Sequence, residues 1–300
     1  MPGFSYIPPS GGLAIEQGYS SIWEKNLFYS TWLQPEITFT SKYTVDGNGQ
    51  IMVRKPADVD ATEPGSPGRM FVHGKPTDTF VPIYLCNNYQ ESDPIFQATL
   101  NSVSQDNALR ASRMEVVVDK VTAGVNLSAL AALVDQSTTK TVDTATLKTA
   151  KEIVLRARRE AVEQKAVGLD VVLCTPAFYE TIMNAAGDKF DTDFNNRIAS
   201  EGRVGRWLGM DFYEVNGFAA GSAKYIKNFD DAASETKTTV SFDNISFIMY
   251  NHNALSVIPN LQSMGMVDGR PLMTGVFAQV ESNFGFKVTN PKLSYVCKTA

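Results

Sequence analysis

Residues Asp143 to Gly187 read DTATLKTAKEIVLRARREAVEQKAVGLDVVLCTPAFYETIMNAAG, and the fold class follows from how this stretch is parsed. Leu147, Ala150, Val154, Ala157 and Ala161 recur every three or four residues, while Lys148, Lys151, Arg156, Arg158, Arg159 and Glu163 fall elsewhere on the wheel. That spacing predicts an amphipathic helix over Asp143 to Lys165. Asp143 or Thr144 is placed to cap it, since a short side-chain oxygen satisfies an unpaired backbone N–H, and Gly168 is placed to end it. The run Leu169 to Cys174 is too short for a helix and rich in valine, so it reads as a buried strand. Thr175-Pro176 opens a second helix, with proline at the first helical position, and Ala177, Tyr179, Ile182, Met183 and Ala186 carry it to Gly187. After a polar loop, Gly205-Arg206-Trp207-Leu208-Gly209 leads into a strand over Met210 to Val215. Helix–strand–helix–loop–strand is an α/β layer with both helices packed on a sheet.

Chemistry is not written into this unit. No glycine-rich phosphate loop precedes Pro176, which also removes a donor from the helix start. A nucleophilic Cys174 needs a base and an electropositive surrounding, and its neighbours in sequence supply neither. The sequence Asp191-Thr192-Asp193-Phe194-Asn195-Asn196 begins like a calcium loop, but Asn196 stands where the sharp turn needs glycine and Gly202 where a bidentate glutamate is needed. Three widely spaced cysteines, Cys86, Cys174 and Cys297, form neither a disulfide framework nor a metal pattern. Neither His73 nor His252 has a partner at catalytic or ligand spacing in the sequence. No catalytic, cofactor-binding or metal-ligating residue is therefore assigned, and no cofactor.

The chain has 300 residues and a net charge of −5, ample for a sizeable core and short of the basic surplus a general nucleic-acid or anionic-membrane binder needs. The Arg156–Arg159 cluster is interleaved with Glu152, Glu160 and Glu163, as in a salt-bridged solvated face. No apolar run in the sequence approaches the length expected of a membrane helix, and the first residues lack the pattern of a secretory signal.

Outward from the central unit, residues 1 to about 40 are first rich in proline and glycine, then aromatic (Tyr19, Trp23, Phe28, Tyr29, Trp32). Such an arm must bury its rings on its own domain or on a neighbour. Gln50 to Arg54 and Thr79 to Cys86 read as strands around a long polar excursion with turn signals from Ala57 to Gly68, hence a hairpin reaching away from the body. Asp93-Pro94 begins a long helix candidate running to about Thr122, with Phe96, Leu100, Val103, Met114, Val117 and Val121 at helical spacing. Gly124 and Asn126 are read as its end, and Ser128 to Asp135 as a short helical link. Beyond Phe218 the expectation is strands: Lys224–Phe229, Thr238–Phe242, Ile245–Tyr250, His252–Pro259, Gly275–Phe284 and Lys292–Cys297, with Gly285 and Pro291 as punctuation.

This order of parts resembles the major capsid proteins of tailed bacteriophages, the HK97 fold. An aromatic arm, an extended hairpin, a long helix and a domain entered through Asp170-Val-Val-Leu-Cys-Thr-Pro-Ala-Phe-Tyr-Glu follow one another. The step Gly202-Arg-Val-Gly-Arg-Trp-Leu-Gly-Met-Asp-Phe-Tyr-Glu-Val-Asn and the ending Gly285-Phe-Lys-Val-Thr-Asn-Pro-Lys-Leu-Ser-Tyr-Val are similar to recurring segments of that family. The resemblance implies an α+β fold in five parts. These are an N-terminal arm (1–42), an extended hairpin or E-loop (43–88), a peripheral domain with a spine helix (89–167), an axial α/β domain (168–255) and return strands with a closing strand (256–300). It implies a non-enzymatic shell protein that self-assembles into hexamers and pentamers of an icosahedral head. Trp23, Trp32, Arg54, Lys55, Glu63, Gly65 and Gly68 would then meet neighbouring subunits. Portal, scaffolding or decoration proteins would be further partners, packaged double-stranded DNA would be met by proximity only, and no membrane would be involved. The location implied is the virion, after assembly in the host cytoplasm. The same fold also suits an encapsulin, a cage around cargo enzymes, and the rival from another class is a soluble α/β enzyme using Cys174 or His252.

Overall fold

A computed structural model describes residues 32–33, 50–55, 79–96, 106–142, 149–163, 168–186, 203–227, 237–268 and 275–299. The central unit is present. Helix α2 (Ala150–Glu163) buries Ala150, Ile153, Val154, Ala157 and Ala161, the stripe its spacing demands. Its cap is Thr149: the Glu152 N–H donates to Thr149 Oγ1 at 3.3 Å and the Thr149 N–H to Glu152 Oε2 at 3.1 Å. This reciprocal box satisfies two donors and starts the helix at Ala150, later than the expected start at Asp143, so Thr149 takes the capping role expected of Asp143 or Thr144, which lie outside the described residues. Strand β5 (Val171–Cys174) follows, then α3 (Pro176–Ala186), whose start is capped by Thr175 Oγ1 accepting from the Phe178 N–H at 3.3 Å. Strands β6 (Arg203–Trp207) and β7 (Met210–Glu214) form a hairpin over a two-residue turn with φ of 53° at Leu208 and 79° at Gly209, the left-handed pair that matches strand twist.

These strands join β4 (Thr138–Val142), β10 (Ile245–Tyr250) and β13 (Ser294–Thr299) in a six-stranded sheet of order β4-β13-β10-β5-β7-β6. The β4–β13 and β5–β7 pairs are parallel and the others antiparallel. All four residues of β5 are buried because the sheet is covered on both sides. Val172 and Cys174 point with Phe247, Met249 and Tyr295 into the core under α2 and α3, where Phe178 stacks on Phe247 at 4.9 Å. Val171, Leu173, Ile248, Tyr250 and Val296 enter the larger core on the opposite face.

The spine of that larger core is α1 (Asp106–Gln136), and here the sequence reading needs correction. Asp93-Pro94 does not begin a helix. It lies in strand β3 (Asn87–Phe96), which pairs with β12 (Gly275–Val288), itself paired with β11 (Leu255–Asp268). Proline is tolerated there because β3 is an edge strand of the three-stranded sheet, where a missing N–H breaks no ladder. Nor does α1 stop at Gly124: it runs on through Asn126 and absorbs the segment read as a separate link. Gly124 is a packing site, since a Cβ there would stand 3.1 Å from Cε1 of Tyr89. Met114, Val117, Val118, Val121 and Val125 are buried, so packing holds a helix that carries a run of three valines. In composition and length α1 also passes for a membrane span, contrary to the sequence reading, but most of its apolar window is buried within the protein.

Two further expectations change. Gly285 lies inside β12 rather than ending it, and β11 passes through Pro259 to Asp268, again as an edge strand with a register shift between Leu261 and Ser263. A short ribbon of β8 (Ser222–Tyr225) and β9 (Thr238–Ser241) packs on α1. Strands β1 (Gln50–Lys55) and β2 (Thr79–Tyr84) form the expected antiparallel hairpin, from Gln50 opposite Tyr84 to Lys55 opposite Thr79.

Candidate functional site

The root of the β1–β2 hairpin is a small core of its own. Ile51, Ile83 and Ile258 are buried together with Leu85 against them, while Met52, one residue along the strand, is 52% exposed. The seat is Gly285 of β12. A Cβ at that position would lie 2.7 Å from Ile83 Cγ2 and 3.0 Å from the Tyr84 carbonyl oxygen, so only glycine admits the hairpin this close.

Past the root, Asn87 is buried and uses its amide as a surrogate strand. Its Nδ2 donates to the Ile226 carbonyl at 3.0 Å and its Oδ1 accepts from the Ile226 N–H at 2.7 Å. The Tyr89 hydroxyl donates to Ser128 Oγ of α1, which donates to the Lys224 carbonyl of β8 at 2.9 Å. Burial, partly offset by the Ser128 bond, pushes the Tyr89 pKa up to about 12. Arg113 meets Asp93 at 3.0 Å and Lys120 meets Glu91 at 2.8 Å. Hairpin root, edge strand and long helix are thus fastened to one another through Gly285, Asn87, Tyr89 and the two ion pairs.

Among the residues assigned to subunit contacts, Trp32 departs from expectation: it is 3% exposed and sits in the large core of its own chain beside Leu33. Apolar burial within the subunit takes the ring first, so Trp32 has no surface left for a neighbour. Arg54 and Lys55 stand on β1, opposite Phe80 and Thr79 of β2. Trp23, Glu63, Gly65 and Gly68 lie outside the described residues, as do the hairpin tip, His73 and the 191–196 loop. Ile51 and Ile83 were not singled out from sequence, and Gly285 was read only as strand punctuation; a glycine between Phe284 and Phe286 in a strand pattern is the signal that marks such a close approach.

The proposed chemistry of Cys174 and His252 has no geometric support. Cys174 Sγ donates to the Tyr213 carbonyl at 3.2 Å, and burial, with the nearby Glu214 carboxylate, pushes the thiol up to about 12. A thiol held neutral to that degree is no nucleophile near neutral pH. His252 does have a partner that sequence spacing hid: its Nε2 lies 3.9 Å from Asp170 Oδ2, and its backbone N–H donates to Asp170 Oδ1 at 3.2 Å. That pair sits at the start of β5, on the order of 10 Å along the strand from Cys174 at its end. Imidazole and thiol therefore do not meet. Among the described residues no group of three His, Cys, Asp or Glu side chains is placed to hold a metal ion.

The architecture is an HK97-type capsid fold. No family model matches the sequence, and no curated protein matches it. Similarity lies in three dimensions. The mature capsid of bacteriophage PhiM1 superposes with a TM-score of 0.58 at 10% identity, over 90% of this chain and 87% of that one. The capsid of Ralstonia phage GP4 gives 0.57 at 11% identity, over 99% and 96%. A virus-like particle from Pyrococcus furiosus gives 0.55 at 11% identity, over 93% and 96%.

Proposed function

We propose that this chain is the shell subunit of a tailed-phage head, self-assembling into hexameric and pentameric capsomers. The observation that carries the reading is the extent of the structural likeness: it runs over 99% of the chain rather than over one domain. The fastening of the hairpin root to β12 and β11 supports it. An isolated two-stranded hairpin is marginally stable in water, so a hairpin fixed at its root and reaching outward is suited to rest on another subunit. Buried thiols and the separated Cys174 and His252 weigh against an enzyme. In this reading 1–42 forms the arm, 43–88 the hairpin, a peripheral part begins at 89, 168–255 is axial and 256–300 returns to both. The same reading counts α2 and β4 with the axial part, a change from the expected boundary at 168 that their packing on, or pairing within, the sheet of β5 supports. Arg54, Lys55, Glu63, Gly65 and Gly68 remain the contacts proposed for the hairpin, and Trp23 for the arm. Portal, scaffolding and decoration proteins are the further partners proposed, with packaged DNA lying against the shell without specific recognition. The place of action is the virion after assembly in the host cytoplasm.

The likeness to the Pyrococcus furiosus particle keeps one second reading, a cage around protein cargo. Electron microscopy and sedimentation of purified protein test the first step, with closed particles expected. Protein that stays monomeric at every concentration and salt overturns both shell readings. Nucleic acid in particles purified from the native source favours the head, and a co-purified enzyme in their lumen favours the cage.

A further inference from the structure

Two exposed helix faces on opposite sides of the molecule match one another. On α2 the outward arc is Lys151, Leu155, Arg158, Arg159 and Val162, all exposed, with Leu155 at 41% and Val162 at 54%. At about 100° per residue these five fall within one third of the helix circumference. They carry three cations and no carboxylate. Arg158 reaches the Leu208 carbonyl at 2.7 Å and Arg159 lies 3.4 Å from Glu163, a pair that is itself largely solvent-exposed.

On α1 the outward arc is Ser112, Glu115, Val116, Asp119 and Ala123, again all exposed, with Val116 at 40%. It carries two carboxylates and no cation, because Arg113 and Lys120 turn aside to Asp93 and Glu91 of β3. Glu115 and Asp119 stand one turn apart as like charges, an arrangement that costs a helix stability. Burial, and then Glu115, holds the Asp119 carboxyl above its usual range.

The apolar members share one spacing. Leu155 and Val162 are seven residues apart, as are Val116 and Ala123, each pair rising about 10.5 Å along its helix. With the helices parallel, Arg158 and Arg159 fall opposite Asp119, and Lys151 falls on the Glu115 side. With the helices antiparallel, Glu163 would face Glu115. Within one chain the faces are kept apart, since α2 covers one side of the six-stranded sheet and α1 belongs to the core on the other.

We propose that the basic–apolar face of α2 is a subunit-contact surface for the acidic–apolar face of α1 from a second copy of this chain. The two helices lie parallel, with Leu155 on Val116 and Val162 on Ala123. The contact joins two different patches, so it is heterologous and repeats from copy to copy around a ring. It rests on the shell reading and names the partner face within it.

The test is charge reversal with rescue, joined to cross-linking. Arg158→Glu with Arg159→Glu places like charges across the contact and is expected to lower the assembled fraction about tenfold or more at moderate salt, with the melting temperature of the subunit little changed. Adding Glu115→Lys and Asp119→Lys to that protein is expected to restore assembly. In mixtures of single variants, Leu155→Cys is expected to form an oxidative cross-link with Val116→Cys, while Val162→Cys with Val116→Cys is not. Wild-type particles together with indifferent charge reversals overturn this contact and leave the shell reading standing. So does loss without rescue in a folded subunit, or a Val162–Val116 cross-link in place of the Leu155–Val116 one. Wild-type protein that never assembles overturns the shell reading, and this contact falls with it.

Discussion

Asn87 illustrates how one side chain can take the place of a strand. Its amide satisfies both backbone groups of Ile226, and it is 5% exposed, so water cannot replace it. Asn87→Ala is therefore expected to cost about 1–3 kcal/mol, the penalty for leaving a buried donor and acceptor unpaired. Chemical denaturation followed by circular dichroism checks this; an unchanged midpoint would show that Ile226 finds other partners. The buried thiols make a second prediction. For Cys174 the pKa is raised from 9.0 to about 12 mainly by burial, and Cys297 behaves alike, with Glu160 as the secondary cause. A group whose folded pKa is raised contributes its stability in full below the unfolded value and loses it as pH climbs towards the folded one. Thermal stability is thus expected to decline between about pH 9 and pH 12, in the range where Tyr89 adds to the effect. Alkylation of the native protein at about pH 8 should spare Cys174 and Cys297 and reach both after unfolding. Rapid native labelling of Cys174 would contradict the buried geometry.

At the scale of elements, the hairpin meets the three-stranded sheet at Ile258 of β11 and, most tightly, at Gly285 of β12. Gly285→Ala drives a methyl into Ile83 and the Tyr84 carbonyl. Backbone cannot yield as a flexible side chain can, so the root of the hairpin must shift. A destabilisation of about 1–3 kcal/mol, typical of overpacking, is expected, together with a loss of hydrogen-exchange protection confined to β1, β2 and the facing part of β12. Protection lost evenly across the six-stranded sheet would mean that the root core is not a separate unit. The same logic separates two glycines that look alike in sequence. Gly124 and Gly285 were both read as punctuation, yet each lies inside an element and admits a neighbour too close for a side chain.

At the scale of the whole molecule, folding and assembly should be separable. The stretch from Ala57 to Gly68 is polar and turn-rich in sequence, so little apolar burial within its own subunit is expected of it. Replacing Asp58–Pro67 with a short Gly-Ser link is expected to leave helical signal and cooperative melting nearly intact, because loop entropy changes slowly with length. Closed particles in sedimentation and micrographs are expected to be reduced or lost. Wild-type assembly yield from the shortened protein would rule out the hairpin as a clamp between subunits, and failure to fold would place the segment in the core.

The sequence by itself determined the elements whose signals are local. The stripe of α2, the Thr-Pro start of α3, the apolar run of β5 and strand β10 are repeated over a few residues, and nothing distant contradicts them. Their order was enough to point to the HK97 fold. Tertiary structure alone decided where Pro94, Gly124, Pro259 and Gly285 belong, since each is a breaker in isolation and acceptable in its setting. Pro94 and Pro259 lie on edge strands, Gly124 lies under a ring 35 residues away in sequence, and Gly285 lies under the root of the hairpin. Trp32 and the pairing of His252 with Asp170, 82 residues apart, were hidden for the same reason. A local pattern fixes which conformations a segment can adopt; contacts from far along the chain supply the burial that selects among them.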